Sequence, residues 1–219
     1  MRPDAWLPLM DHPYIFSILI GYLLGSLSLA DLFGRLAGVD LRARNTKSLG
    51  ASNAAITLGK ARGAAVAVHD IAKAAIAIAL ARTFFPDEAL AAFAASSAAI
   101  LGHIFPPALR FRGGKGFACV IGSVLAAAPI LAPFLILPSI LLIIATDRIV
   151  YVTLLWTVSY PAYLALASEI PAAALIVSPA CAIVLVKHVP NFRNLIAGTE
   201  PGIRQSLSSR KDGKPDTEE

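Results

Sequence analysis

From residue 116 to residue 146 the chain carries no charged side chain. Similar intervals occur at 12–30, 89–109, 149–168 and 170–186, the second of which, 89–109, contains only His103 as a titratable group. A bilayer core of about 30 Å takes about 20 residues of helix to cross. Backbone groups in lipid must be satisfied within the segment, which a helix achieves. The runs lack the alternation of barrel strands. Only 15% of the residues are charged, against about 25% in a soluble domain. The chain is therefore read as an all-α polytopic membrane protein.

About seven transmembrane helices are expected, near 12–36, 61–82, 88–106, 115–128, 132–147, 149–167 and 170–187. The second holds Asp70 and Lys73, spaced to share one face. They form either a structural ion pair inside the bundle or part of a site. Asp31, late in the first helix, reads as a cap or an interfacial residue. Pro129 follows Ala126-Ala127-Ala128 and is the best place to divide the 116–146 interval. With the N-terminus outside, the loops on the cytoplasmic side hold nearly all of the nineteen lysines and arginines. Only Arg2 and Arg82 fall outside, and Lys73 falls within a span. Lys and Arg collect on the cytoplasmic side of membrane proteins, so the C-terminus is placed in the cytoplasm. Residues 1–203 form one membrane domain. Residues 204–219 are too polar to bury a core and read as a disordered tail.

Cys119 and Cys181 lie in apolar stretches and act as small hydrophobes. No metal-ligand spacing, cofactor motif or nucleic-acid motif is present, so no metal and no cofactor are expected. The net charge of +5 points to anionic lipids and anionic substrates.

Three polar segments fall on the cytoplasmic side. Leu109 to Gly116 reads LRFRGGKG, with three basic residues and three glycines. Glycines let backbone N–H groups approach an anion, and a following helix N-terminus adds its positive end. This is either a phosphate seat or an ordinary basic turn. His103 just before it is a phosphate or proton ligand, or a packing residue. Leu41 to Asn53 carries Thr46, Ser48, Ser52 and Asn53, which are either neutral donors to an anion or helix caps. Lys187 to Asn194 carries His188 and Asn191, either site residues or a basic helix end.

Gly102-His103-Ile104-Phe105-Pro106 followed by Phe111-Arg112-Gly113-Gly114-Lys115-Gly116 resembles the GHxFP and FxGGKG segments of the bacterial acyl-phosphate-dependent glycerol-3-phosphate acyltransferase family. Gly21 to Ser26, Val39 to Arg42, Leu49 to Asn53, Asp70 with Lys73, and His188 with Asn191 are similar to further family segments, over roughly residues 17–199. The resemblance implies acyl transfer from acyl phosphate to the sn-1 hydroxyl of glycerol 3-phosphate, giving lysophosphatidate and phosphate. It implies a multi-pass protein of the bacterial inner membrane, acting in phospholipid synthesis, whose active site faces the cytoplasm. Its partners would be the two substrates and membrane lipids. Lys115, His188 and Asn191 would be catalytic. Thr46, Ser52, Asn53, Asp70, Lys73, His103, Arg112, Gly113, Gly114 and Gly116 would bind substrate.

The chain departs from the family pattern at several polar positions. Asn45, Thr46, Lys47 and Ser48 stand where the family has Gly, Ser, Gly and Asn. Ile56 stands where it has arginine, Asn194 takes the place of a second arginine, and Ala74 replaces a glycine. Tyr151-Val152-Thr153-Leu154 replaces a serine-bearing segment. The changes at Ile56 and Asn194 open one alternative, a different acceptor for the same acyl phosphate; composition alone leaves open another, a transporter of small anions or lipids.

Overall fold

A computed structural model describes residues 12–204. Among these residues there are helices and no strands. The α-helices are α1 Pro13–Ser26, α2 Leu29–Leu36, α3 Ala51–Leu58, α4 Lys60–Phe84, α5 Ala89–Ile104, α6 Phe117–Ala127, α7 Ala132–Thr146, α8 Ile149–Ala167, α9 Ala173–Lys187 and α10 Val189–Ile196. The expected tail lies outside the described residues apart from Arg204.

The surface is inverted relative to a water-soluble protein. On α1, Ile15, Leu19 and Leu23 are exposed while Ser17, Gly21 and Gly25 are buried. On α7, Phe134, Leu137, Ile140, Leu141 and Ile144 face outward around a buried Ser139. Large apolar side chains outside and small or polar ones inside are what a lipid solvent selects. Five segments are long and apolar enough to cross a bilayer: Pro13–Leu36, Lys60–Phe84, Ala89–Leu109, Pro129–Thr146 and Ile149–Ala167. α9 and α10 together make a sixth, bent by 47°. α6 is apolar but has 11 residues.

Alanine-rich α5 is the central pillar. It is buried almost all round and packs against α1, α4, α6 and α9. Its contact with α1 is backbone to backbone. A Cβ added at Gly21 or Gly25 would overlap the carbonyl oxygens of Ala95 and Ala99, and one at Gly102 would overlap that of Tyr22. Small residues on both helices permit this approach, and close packing is what holds helices together in lipid.

The expected first helix, 12–36, is broken at Leu27-Ser28. Lys73 of α4 donates to the freed Leu27 carbonyl at 2.8 Å. Ser28 Oγ accepts from the Asp31 N–H at 3.2 Å and caps α2. Asp31 thus sits in the first turn of α2, where its carboxylate also accepts from Arg35. The 37–60 loop holds a helix the sequence reading lacked, α3, set off from α4 by Gly59 at φ +105°. The segment after α9 likewise coils as α10. The 116–146 interval divides as expected, with a 3-10 turn at Pro129–Leu131. At that end Arg82 of α4 donates to the Ala126 and Ala127 carbonyls and caps α6.

Beside the main core, a small apolar cluster of Ala30, Leu41, Leu49, Ala54, Leu58, Val66 and Leu109 holds the first loop and α3 on α2 and α4. The loop is therefore a packed surface rather than a loose connection. We expect Gly25→Leu to abolish the monodisperse detergent-solubilised protein, while Leu23→Ala on the lipid-facing side leaves it intact; size-exclusion chromatography checks both.

Candidate active site

A cavity of about 390 Å³ opens between α3, the first half of α4, the N-terminus of α6, the start of α8 and the α9–α10 junction. That volume lies in the range of small-molecule sites, about 300–1,000 Å³. Among the sequence candidates, Thr46, Ser52, Asn53, Asp70, His103, Lys115, Gly116, His188 and Asn191 line it. Lys73, Arg112, Gly113 and Gly114 do not.

Lys115 projects from the segment between α5 and α6. Its Nζ donates to Asn191 Oδ1 at 2.5 Å, and Asn191 Nδ2 donates to Glu200 Oε1 at 2.8 Å. Glu200 is buried, its backbone carbonyl accepts from the Arg148 guanidinium, and its Oε2 has no partner among the described residues. Burial lowers the Lys115 pKa, while the Glu200 carboxylate opposes that shift. The carboxylate and amide thus hold the ammonium in one orientation within the cavity. Glu200 was missed in the sequence. Its signal was isolation, since it is the single acid between Glu169 and Asp212.

His188 closes α9. Its Nδ1 lies 2.8 Å from the Val184 carbonyl, which assigns the proton to Nδ1 and leaves Nε2 as the acceptor. Burial pushes its pKa down to about 4, with the Val184 carbonyl opposing and the Lys115 charge adding. The ring is neutral at physiological pH and accepts hydrogen bonds at Nε2.

His103 has the opposite arrangement. Lys73 Nζ lies 2.9 Å from its Nδ1. A lysine ammonium only donates, so Nδ1 accepts and Nε2 carries the hydrogen. Lys73 is also 2.9 Å from Asp70 Oδ1. Lys73 lies behind the cavity wall, tied to Asp70, His103 and Leu27, and does not reach a ligand. Breaking a buried pair of this kind costs about 3–5 kcal/mol.

Gly113 and Gly114 differ from the anion cradle expected of them. The Gly113 N–H donates to the Ile104 carbonyl at 3.1 Å, and the Gly114 N–H to the His103 carbonyl at 3.0 Å. A Cβ at Gly114 would collide with the His103 ring. These glycines let the 113–115 segment lie flat on the end of α5, which delivers Lys115 to the cavity. Gly116, at φ +94°, begins α6. The first-turn N–H groups of α6 have no intrahelical acceptor and face the cavity with the positive end of the helix. Arg112 lies away from the cavity, in a separate groove with Arg35, Asp40, Arg42 and Arg110.

The first loop supplies hydroxyls. Thr46 Oγ1 and Ser48 Oγ are 3.1 Å apart, and both line the cavity. Asn53 is fully buried and spends its amide on the Leu41 and Ser48 carbonyls, so it builds the loop. Asn45 and Lys47 keep left-handed torsions, φ 45° and 50°. Asn tolerates this region, whereas Lys47 bears a cost of about 1–2 kcal/mol. Ile56 lines the cavity, and Thr153 brings a hydroxyl to its wall. Among the described residues Lys115 is thus the one lysine or arginine lining it, against the carboxylates of Asp70 and Glu200.

The profile of the family described as glycerol-3-phosphate acyltransferase matches residues 15–198. A glycerol-3-phosphate acyltransferase of Clostridioides difficile (strain 630) is 30% identical over 197 residues, covering 88% of this chain and 96% of that protein. One from Geobacter sulfurreducens is 33% identical over 183 residues, covering 83% and 93%. The crystal structure of PlsY, an integral membrane glycerol 3-phosphate acyltransferase, in its glycerol 3-phosphate form superposes with a TM-score of 0.80 at 28% identity, covering 86% of this chain and 94% of that one. Its lysophosphatidic acid form gives a TM-score of 0.77 at 27% identity, covering 89% and 98%.

A buried neutral histidine must take up a proton as the chain unfolds in acid. His188 falls from an ordinary 6.5 to about 4. Its contribution to stability is complete above pH 6.5 and declines as pH falls toward 4. We expect the thermal midpoint in detergent to drop over that window, and His188→Gln to flatten the decline.

Proposed function

The chain belongs to the glycerol-3-phosphate acyltransferase family, and from that premise we propose that it transfers an acyl group from acyl phosphate to the sn-1 hydroxyl of glycerol 3-phosphate. The hydroxyl oxygen bonds to the acyl carbonyl carbon, the carbon–oxygen bond to phosphate breaks, and lysophosphatidate and inorganic phosphate leave. The observation that carries this reading is convergence. Residues 76 positions apart, Lys115 and Asn191, meet at 2.5 Å in a cavity that also holds Thr46, Ser48 and His188.

Acyl phosphate is already activated, so no covalent enzyme nucleophile is required. Lys115 and the first-turn amides of α6 offset the charge that develops on the carbonyl and phosphate oxygens. In this reading the hydroxyl proton passes to phosphate, and His188, whose Nδ1 is committed to the Val184 carbonyl, orients the hydroxyl by accepting its hydrogen bond at Nε2. Thr46, Ser48 and Ser52 donate to phosphate oxygens, and His103 Nε2–H adds a donor from the α5 side. The apolar wall of Ile56, Phe117, Ile149 and Val150 receives the start of the acyl chain.

In this reading seven segments cross a bacterial inner membrane, counting α6 and α9, with the N-terminus outside and the active site and C-terminus in the cytoplasm. The basic residues gathered around the cavity loops support that orientation.

A second reading keeps acyl phosphate and changes the acceptor. Ile56 in the cavity wall favours it, because an apolar side chain does nothing for a second phosphate. The two are separated by assay. Purified protein given acyl phosphate and glycerol 3-phosphate should release phosphate; silence across several acyl lengths would refute the first reading. Lys115→Ala should lower turnover by about 10²-fold or more, as loss of a charge-stabilising donor does, while Arg193→Ala on the exposed face of α10 should retain it. Ile56→Arg should lower the KM for glycerol 3-phosphate about tenfold, the worth of one charged hydrogen bond. If a phosphate-free alcohol is the better acceptor and Ile56→Arg gives no gain, the second reading holds.

A further inference from the structure

The arginine groove is unused by the reaction above. It measures about 560 Å³ and lies between the end of α2, the Leu41–Ala43 turn and the Pro107–Arg112 segment. Arg35, Arg42, Arg110 and Arg112 come to it from three separate stretches of chain, with Asp40 as the single acid in its wall among the described residues. Asp40 is already engaged, accepting from the backbone N–H and Nε of Arg42 at 2.9 and 3.0 Å, and Arg35 is paired with Asp31 at 2.6 Å, which leaves Arg110 and Arg112 as the uncompensated charges. Among the described residues, neither Arg110 nor Arg112 has a carboxylate within ion-pair reach. The groove is therefore an excess of positive charge in a concave surface.

The backbone is strained to present it. Arg110 and Phe111 both lie in the left-handed region, φ 53° and 59°. Consecutive non-glycine residues there cost energy and are retained where the surroundings fix them. Here the Phe111 N–H donates to the Pro106 carbonyl and the Arg112 N–H to the Leu109 carbonyl. The tight reversal splays both arginines into the groove and leaves Phe111 58% exposed. Leu32 and Leu36, one turn apart on α2, are exposed beside Arg35.

We propose that this groove is a second phosphate site, separate from the catalytic cavity, and that it takes the phosphate of an anionic membrane lipid. Guanidinium groups match phosphate oxygens in pairs. Exposed Phe111, Leu32 and Leu36 provide the apolar margin that a lipid headgroup brings its chains against, and a free phosphate ion has no use for one. The first loop is already joined to the 110–115 segment at one point, where the Leu49 N–H donates to the Gly113 carbonyl at 3.4 Å. A lipid phosphate spanning Arg42 and Arg110 would tie the first loop to the segment that carries Lys115.

The test is a lipid-retention measurement on the full chain, independent of acyl transfer. Delipidated protein in neutral detergent is given phosphatidylglycerol or phosphatidylcholine of the same chains, and bound lipid is counted by native mass spectrometry. The wild type should prefer phosphatidylglycerol. Arg110→Asn with Arg112→Gln, the asparagine chosen because it accepts the left-handed backbone, should cut that preference about tenfold. Lys115→Ala should keep it, which separates the groove from the cavity. If the double variant fails to fold, Arg35→Gln, away from the reversal, should show a smaller loss of the same kind. Full preference in a folded variant would overturn the proposal. Displacement of the lipid by millimolar inorganic phosphate would overturn the lipid assignment and leave a site for the free ion.

Discussion

Lys73 makes three contacts that join otherwise unrelated parts of the chain. It donates to the Leu27 carbonyl where α1 breaks from α2, to Asp70 one turn back on α4, and to His103 near the end of α5. His103 in turn lies under Gly114, and Gly114 leads to Lys115. The height and direction of Lys115 thus depend on a buried ammonium that lies behind the cavity wall. In a lipid solvent such a group must be fully paired. Its pairing accounts for the otherwise puzzling break in an apolar helix, because an unbonded carbonyl inside a bundle needs a donor and Lys73 supplies one.

The cavity economises on charge. Two phosphate-bearing substrates would be met by one lysine, the start of a helix, several hydroxyls and two histidines of opposite tautomer. His103 offers a hydrogen and His188 offers a lone pair. The carboxylate of Glu200, reached through Asn191, opposes the effect of burial on Lys115 and orients it without occupying its whole donor capacity.

Much of this was legible in residue order, and what was not has physical causes. Charge-free intervals located the spans because lipid excludes charge, and the division at Pro129 followed from a ring with no N–H to give. The break at Leu27 could not be read locally, since its donor lies 46 positions away. α3 and α10 resembled loops because they are short and mixed in polarity; each is held by packing rather than by its own composition. Thr46, Lys115, His188 and Asn191 were found by their chemistry, and they line one cavity. Gly113 and Gly114 were singled out as a backbone cradle for an anion, whereas the structure spends their N–H groups on α5 carbonyls and uses their small size to pack against α5. Arg112 was misplaced because the left-handed reversal at Arg110 and Phe111 turns it to the other side of the loop, and nothing in those side chains announces such a backbone. Glu200 was passed over because acids are not sought in a phosphate site.

The shortness of α6 has a mechanical outcome. Its 11 residues rise about 17 Å, roughly half of a hydrocarbon layer about 30 Å thick. One end meets the cavity and the other is closed by the guanidinium of Arg82. In the orientation proposed, a polar group at each end of so short a rod would require the bilayer to thin beside it or the cavity to sink beneath the headgroup plane. Either accommodation would bring Lys115 down toward the depth where the carboxyl end of a fatty chain resides. The water-soluble reactant would then descend to meet the oily one, and neither the acyl chain nor its product would have to be hauled out of the membrane.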